Sequence, residues 1–230
     1  MTDNSTAENI TKVRHRIRIA AQIIGRQAQD ITLLAVSKTR PAQALRRAWE
    51  AGVEQFGENY LREALDKMRL LQDLPLCWHF IGPVQSNKTR AIAEHFTWIH
   101  SVDRLKIARR LSEQRPLTLP PLQVCLQVNI SAEASKSGVS LEQLPELAAA
   151  VSMLPNLNLR GLMAIPAAEP DRARQRQAFA AIRLALEQLQ QRHPELDTLS
   201  MGMSEDLEAA IAEGATIVRI GTDIFGPRDR

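Results

Sequence analysis

Hydrophobic residues follow two different patterns along the chain. From about residue 5 to residue 25, apolar side chains recur every three or four positions, at Ile10, Val13, Ile17, Ala21 and Ile24. That spacing puts them on one side of a helix and predicts an amphipathic leading helix. Further along, short apolar runs typical of buried strands alternate with helix-length segments. The predicted strands are residues 31–38, 55–59, 77–82, 98–103, 121–130, 157–166, 198–202 and 215–226.

The regular alternation of strands and helices predicts the fold. Parallel neighbours need a connection the size of a helix, so strands separated by helices predict a parallel sheet. Eight such units favour an α/β fold, a single closed (β/α)8 TIM-type barrel with the leading helix as an addition; an open, doubly wound sheet is the alternative. The 230 residues contain no linker or low-complexity segment. We therefore expect one domain over residues 1–230.

Composition and charge argue against several classes of protein. Hydrophobic residues make up 44% and charged residues 24% of the chain, as is usual for a globular protein. The net charge of +3 comes from arginines scattered among acids, whereas nucleic-acid binding needs a concentrated basic stripe. The N-terminal segment has no apolar signal region, and no apolar run is long enough to span a bilayer. We predict a cytoplasmic monomer without nucleic-acid or membrane partners or a metal site, and with reduced, buried Cys77 and Cys125.

The side chains at the predicted strand ends carry the candidate chemistry, because active sites of such barrels lie at the C-terminal ends of the strands. Lys38 ends the apolar run LLAVS. Partial desolvation there favours the neutral amine, which is the form that attacks an aldehyde to make a Schiff base. From position alone, a lysine that simply ends the strand and reaches solvent is the favoured interpretation.

A phosphate site is indicated at the ends of the seventh and eighth strands. The segment SMGMS places Ser200 and Ser204 around a glycine before a short predicted helix, and Gly221 and Thr222 follow the last apolar run. In barrels these two loops often bind phosphate through backbone N–H groups and hydroxyls. An ordinary serine N-cap and a turn glycine explain the pattern equally well. The two acidic residues after Ser204 must point away from a bound dianion.

Several other polar residues receive a provisional interpretation. Arg219 lies between apolar neighbours, and a buried guanidinium needs an acceptor, such as a ring nitrogen or a carboxylate. His79 is interpreted as a core or pocket histidine and Tyr60, the only tyrosine, as a packing residue. Lys136, in the loop after the fifth predicted strand, is interpreted as solvated.

Seven short motifs occur in order along the chain: LLAVSKT, FGENY, WHFIG, QSNK, RGLMAI, SMGMS and VRIGT. Together they resemble the pyridoxal phosphate homeostasis protein family, from about residue 30 to the C-terminus. The resemblance implies a barrel of the alanine racemase N-terminal domain kind that binds pyridoxal 5'-phosphate (PLP). Proteins of this family are described as storing, delivering or sensing the cofactor without established turnover. PLP-dependent apoenzymes are therefore the implied partners, and the protein is expected not to be an enzyme.

The resemblance also implies roles for individual residues. Lys38 would hold PLP as an internal aldimine, and Arg219 would face the pyridine nitrogen. Asn59 and Met163 would line the ring pocket. The implied phosphate ligands are Ser200, Ser204, Gly221, Thr222 and the backbone of Met203. No catalytic residue is expected.

Two other functions stay open. A small PLP-dependent amino-acid racemase would use the same Schiff base, but a cationic Arg219 makes the pyridine ring a weaker electron sink. Racemases of this barrel type also take a second acid–base group from a separate C-terminal domain, which we do not expect here. A cofactor-free enzyme acting on a phosphorylated metabolite would use the phosphate loops alone.

Overall fold

The closed barrel predicted from the alternating pattern is present, and the open sheet is not. A computed structural model describes residues 4–130 and 137–227. Within these residues, eight parallel strands follow one another in chain order, and the last pairs with the first to close the barrel. The strands are β1 (Thr32–Val36), β2 (Gln55–Glu58), β3 (Cys77–Phe80), β4 (Trp98–Val102), β5 (Leu122–Val128), β6 (Leu157–Ala164), β7 (Thr198–Ser200) and β8 (Ile217–Ile220).

Helices connect the strands and cover the outside of the barrel. In the described residues they are α1 (Asn4–Ile23), α2 (Ala42–Glu50), α3 (Leu61–Leu70), α4 (Thr89–His95), α5 (Leu105–Gln114), α6 (Leu144–Ser152), α7 (Arg172–Gln190), α8 (Leu207–Ala212) and α9 (Thr222–Phe225). The predicted leading helix, α1, buries Ile10, Val13 and Ile17 and packs against α2, α8 and α9. Ile24, predicted on the same face, lies beyond the helix and is 37% exposed.

The strands are apolar on both faces because helices cover the outside of a parallel sheet and side chains fill the inside. In β8, for example, the adjacent residues Ile217 and Val218 point to opposite faces, and both are buried. The barrel interior nevertheless holds a line of buried polar side chains that contact one another: His79, His100, Ser200 and Arg219. A polar line of this kind inside an apolar barrel requires hydrogen-bond partners for every member.

The chain turns away from the barrel earlier than predicted at its last strand. Residues 215–226 are predicted as one strand, but β8 ends at Ile220 and Gly221 is the N-cap of α9. The N–H groups of Ile224 and Phe225 donate to the Gly221 carbonyl, so helical hydrogen bonds replace the ladder. This early turn leaves Gly221 and Thr222 at the mouth of the barrel.

The remaining observations concern the two cysteines, Lys136, membrane-spanning helices and metal sites. Cys125 is buried and Cys77 is half-buried, and both are free thiols. Lys136 lies outside the described residues. Over the part of the chain that the structure describes, no helix has the length and apolar character needed to cross a bilayer. In that same part, no cluster of His, Cys, Asp and Glu side chains could hold a metal ion.

Candidate functional site

A cavity of about 450 Å³ opens at the C-terminal ends of the strands, where sites of such barrels are found. Its walls come from β1 and β8, from the segments that follow β1, β2, β3, β6, β7 and β8, and from α7. Seven of the nine residues predicted for the PLP site line it: Lys38, Asn59, Met203, Ser204, Arg219, Gly221 and Thr222. The fold thus brings the predicted lysine and the predicted phosphate loops to one cavity.

Two predicted site residues, Met163 and Ser200, are not in the cavity wall. They are neighbours in register on β6 and β7, and both are fully buried. The hydroxyl of Ser200 contacts Arg219 and His100 rather than the cavity. Both residues therefore belong to the barrel interior.

Lys38 lies in a tight turn directly after β1 and is half-buried. The next residue, Thr39, has a φ of 64°, in the left-handed region that β-branched residues rarely adopt. The Thr39 N–H donates to Glu63 Oε1 at 2.6 Å. Because such a conformation persists only when its surroundings hold it, Glu63 helps to fix the turn that presents Lys38.

Four polar side chains beneath this turn form what we call the Lys67 cluster: Ser37, Glu58, Glu63 and Lys67. The Lys67 ammonium donates to the Ser37 carbonyl at 2.7 Å, to Glu58 Oε1 at 2.7 Å and to Glu63 Oε1 at 2.5 Å. The Ser37 hydroxyl donates to the same Glu58 oxygen at 2.6 Å. Burial raises the pKa of Glu58, while Lys67 and Ser37 oppose that shift. The cluster thereby holds the residues on both sides of Lys38.

A second buried network, which we call the Arg219 relay, consists of Arg219, Ser200, His100, His79 and Gln55. Arg219 Nη1 donates to the carbonyl of Ser200 at 2.5 Å and to its hydroxyl at 2.8 Å. The Ser200 hydroxyl lies 2.7 Å from His100 Nδ1, and His100 Nε2 lies 2.9 Å from His79 Nδ1. His79 Nε2 lies 2.7 Å from Gln55 Oε1. The relay therefore runs from the cavity wall through the barrel interior.

One arrangement of protons satisfies the whole Arg219 relay. A guanidinium only donates, so the Ser200 hydroxyl accepts from Arg219 and donates to His100 Nδ1. His100 then donates from Nε2 to His79, which donates from Nε2 to Gln55. Burial lowers the pKa of His79 to about 3 and that of His100 well below its usual value, so both rings are neutral. Burial also lowers the pKa of Arg219 to about 10, which still leaves it charged at neutral pH.

The loop after β7 passes close to α8 and requires a glycine. Gly202 has a φ of 94°, and a Cβ there would lie 2.5 Å from the Cβ of Ala210. The Met203 N–H donates to Asp206 Oδ1 at 2.5 Å, and the Asp206 N–H donates to the Met203 carbonyl at 3.3 Å. These two bonds close a turn just before α8, whose N-cap residue is Asp206. Both acids after Ser204, Glu205 and Asp206, line the cavity.

Helix α1 supports this loop from outside the barrel through Arg16. Its Nη2 donates to the carbonyl of Ser204 at 2.8 Å. The same guanidinium pairs with Glu208 of α8 at 2.8 Å and with Asp223 of α9 at 2.6 Å. The additional helix thus ties together the two segments that carry the predicted phosphate ligands.

Asn59 contributes an unpaired acceptor near the cavity. Its Oδ1 is buried and has no hydrogen-bond partner among the described residues. Gly82 allows the chain to pack closely here, because a Cβ at that position would lie 2.3 Å from the Asn59 carbonyl oxygen. A buried unpaired acceptor costs free energy until a donor reaches it. Tyr60, the neighbouring residue, is 54% exposed rather than packed as predicted.

Sequence reasoning missed the residues that support the site. Glu63 and Lys67 are spaced by four positions in a predicted helix, which signals an ion pair. Glu58 is an acid inside a predicted strand and therefore needs a buried partner. Neither signal identifies Lys67 as that partner. Nothing in the sequence indicates a role for Arg16, because it lies on the polar side of the predicted leading helix.

The family model described as "Alanine racemase, N-terminal domain" matches residues 9–229. A relative from Pseudomonas aeruginosa, named "Pyridoxal phosphate homeostasis protein", is 66% identical over 226 residues, which cover 98% of this chain and 97% of the relative. The chain belongs to the pyridoxal phosphate homeostasis protein family. A family member of the same name from Escherichia coli is 57% identical and is covered over 98% of both chains.

Solved structures of related proteins have the same barrel. PipY of Synechococcus elongatus with PLP bound superimposes with a TM-score of 0.84 at 38% identity, over 96% of this chain and all of that chain (100%). Alanine racemase from Corynebacterium glutamicum superimposes with a TM-score of 0.67 at 18% identity, over 94% of this chain and 61% of the racemase. The second likeness concerns the fold alone.

Proposed function

We propose that this protein binds PLP in the cavity through a Schiff base on Lys38 and serves intracellular PLP homeostasis by storing, delivering or sensing the cofactor. The observation that carries the proposal is that Lys38 and the loops of Ser204 and Gly221 line one cavity of about 450 Å³. The names of the relatives and the PLP-bound PipY structure support it. One domain over residues 1–230, a cytoplasmic location and delivery to PLP-dependent apoenzymes belong to the same proposal.

The described residues fit the parts of this cofactor. Ser204, Gly221 and Thr222 would hold the phosphate through hydroxyl and backbone N–H groups. Met203 would contribute less, since its N–H already donates to Asp206. The unpaired Oδ1 of Asn59 offers an acceptor beside the ring.

Arg219 would face the pyridine nitrogen from the cavity wall, with Ser200 and Met163 behind it in the barrel interior. Ser200 then acts as a positioning residue for Arg219, in place of the phosphate contact expected from the resemblance. Met163 is fully buried on β6, the strand whose Ala164 carbonyl accepts from Arg219 Nη2 at 2.9 Å.

The same geometry favours PLP binding over PLP-dependent catalysis. A cationic Arg219 disfavours protonation of the pyridine nitrogen, and an unprotonated ring is a weaker electron sink. Neither Tyr60 nor His79 is placed to act as a second acid–base group, because Tyr60 is outside the cavity wall and His79 is buried and neutral. The protein is therefore proposed to bind PLP without turnover.

Borohydride reduction followed by peptide mapping tests the covalent bond. The wild-type protein incubated with PLP should carry a pyridoxyl group on the peptide containing Lys38. The Lys38→Ala variant should lose that modification and bind PLP more weakly. The matched control is Lys106→Ala, which removes an exposed lysine from α5 and should behave like the wild type. A wild-type protein modified elsewhere, with an unmodified Lys38 peptide, would contradict the proposal.

A small amino-acid racemase is the second candidate, because the barrel is shared with alanine racemase. Incubation with L-alanine and other amino acids in D₂O distinguishes the two functions. Exchange at Cα above the rate with free PLP would favour the racemase. Exchange at the rate of free PLP would favour a binding protein.

A further inference from the structure

Asp206 places a carboxylate in the loop that would hold the phosphate. It lines the cavity together with Ser204, Gly221 and Thr222. Its Oδ1 accepts the Met203 N–H at 2.5 Å, so the carboxylate takes a backbone donor of this loop. The side chain thus brings both a negative charge and a competing acceptor to the phosphate site.

The positive charge of Arg219 attracts Asp206, but the hydrogen bonds of its guanidinium go to other groups. Arg219 donates to the carbonyls of Ser200 and Ala164 and to the Ser200 hydroxyl. Arg16 reaches the back of the loop, where it pairs with two carboxylates, Glu208 and Asp223. Among the described residues that line the cavity, the other cation is Lys38, which has the aldehyde as its proposed partner. A phosphate dianion would therefore be held mainly by hydroxyl and N–H groups and would face Asp206.

We propose that Asp206 weakens phosphate binding and thereby determines how readily PLP leaves the protein. This inference rests on the proposed function. A like charge beside a bound group lowers affinity without changing the shape of the site. Lys38 would hold the aldehyde end of PLP and this loop the phosphate end, so a weaker hold at the phosphate end speeds exchange. Asp206 thus favours release to an acceptor.

Asp206→Asn separates the charge of Asp206 from its structural role. Asparagine keeps an oxygen that accepts the Met203 N–H but removes the negative charge. We expect the Kd for PLP to fall by about tenfold and PLP transfer to an apoenzyme to slow by a similar factor. Inorganic phosphate should also compete with PLP at lower concentration. Pyridoxal, which lacks the phosphate, should bind with its affinity changed by less than about twofold, because the lost repulsion acts on a charge that pyridoxal does not have.

Glu113→Gln is the control, since it removes one negative charge from an exposed position of α5 outside the cavity wall. Screening by solvent should keep its effect on the Kd for PLP below about threefold. An Asp206→Asn protein that binds PLP no more tightly than the wild type, while still modified on Lys38, would overturn this inference and leave the proposed function intact. A Kd for pyridoxal that falls as much as the Kd for PLP in Asp206→Asn would overturn it as well. If the proposed function itself is wrong, the Lys38 peptide of the wild type is unmodified after borohydride reduction. That result is different from either outcome above.

Discussion

Two polar networks support the two ends of the cavity, and they are built in opposite ways. The Lys67 cluster holds the turn of Lys38 with full charges, one ammonium between the carboxylates of Glu58 and Glu63. The Arg219 relay holds its guanidinium with neutral groups, and burial keeps its two histidines uncharged. The same molecule thus uses an ionic support on the lysine side and a neutral one on the arginine side.

This difference predicts which of the two networks loses more stability when one of its residues is substituted. Removing one partner of a buried ion pair leaves an uncompensated charge, whereas removing one member of a neutral chain leaves one unmade hydrogen bond. Glu58 already has one buried oxygen, Oε2, without a hydrogen-bond partner among the described residues. The Arg219 relay has a partner for each of its ring nitrogens. The lysine side should therefore be the more vulnerable one.

Lys67→Met gives the largest expected effect. Methionine fills much of the space but leaves Glu58, whose side chain is 0% exposed, without its cation. We expect the free energy of unfolding to fall by about 3–5 kcal/mol, as measured by urea denaturation. PLP affinity should fall too, because the turn of Lys38 loses its support.

The double variant Lys67→Met/Glu58→Gln is the matched control for charge. It removes both members of the pair, so about half or more of the lost stability should return. A double variant as unstable as Lys67→Met alone would mean that packing of the lysine stem, rather than the unpaired charge, explains the loss.

The two networks should also respond to pH with opposite signs. The pKa of His79 is lowered to about 3 from 6.5, so below about pH 6.5 the unfolded chain binds a proton that the native protein does not. Its contribution to stability is present above that pH and is lost as pH falls, by roughly 1.4 kcal/mol per pH unit. Glu58 has a raised pKa, so its contribution is present at low pH and is lost as pH rises through the native pKa.

Urea denaturation of the wild type and of His79→Gln at a series of pH values measures this contribution. Over the range from about pH 6.5 to about pH 5, the stability of the variant should fall less than that of the wild type, by about 2 kcal/mol. Other acids titrate in both proteins, so the difference between the two curves is the relevant quantity. Parallel curves would show that His79 is protonated in the native state and would contradict a neutral relay.

The networks also mark where prediction from the sequence ends. The alternating pattern predicted the barrel and placed Lys38, Ser204 and Gly221 at strand ends, because periodicity and strand ends are local properties of the chain. It did not place Ser200 in the interior, since both faces of a parallel strand are buried and alternation cannot tell them apart. The contact of Glu58 with Lys67 depends on how α3 packs on β2, which no local pattern records.

Ser200→Ala should give the smallest effect and tests the tolerance of the neutral side. Arg219 keeps its bonds to the carbonyls of Ser200 and Ala164. It loses its bond to the Ser200 hydroxyl, and His100 Nδ1 loses its donor. We expect a loss of about 1–2 kcal/mol in the free energy of unfolding. PLP affinity should fall by about two- to fivefold, because one of three hydrogen bonds that hold Arg219 is gone.

Ser112→Ala is the control, because its buried hydroxyl donates to a carbonyl, that of Pro155, outside the cavity wall. It should cost similar stability and leave PLP affinity unchanged. If Ser200→Ala also left PLP affinity unchanged, Ser200 would be a packing residue and would not position Arg219. If Ser200→Ala instead destabilised the protein as much as Lys67→Met, the neutral relay would be as vulnerable as the ionic cluster. The contrast between the two sides would then be wrong, because the number of hydrogen bonds, rather than charge, would set the cost of losing a partner.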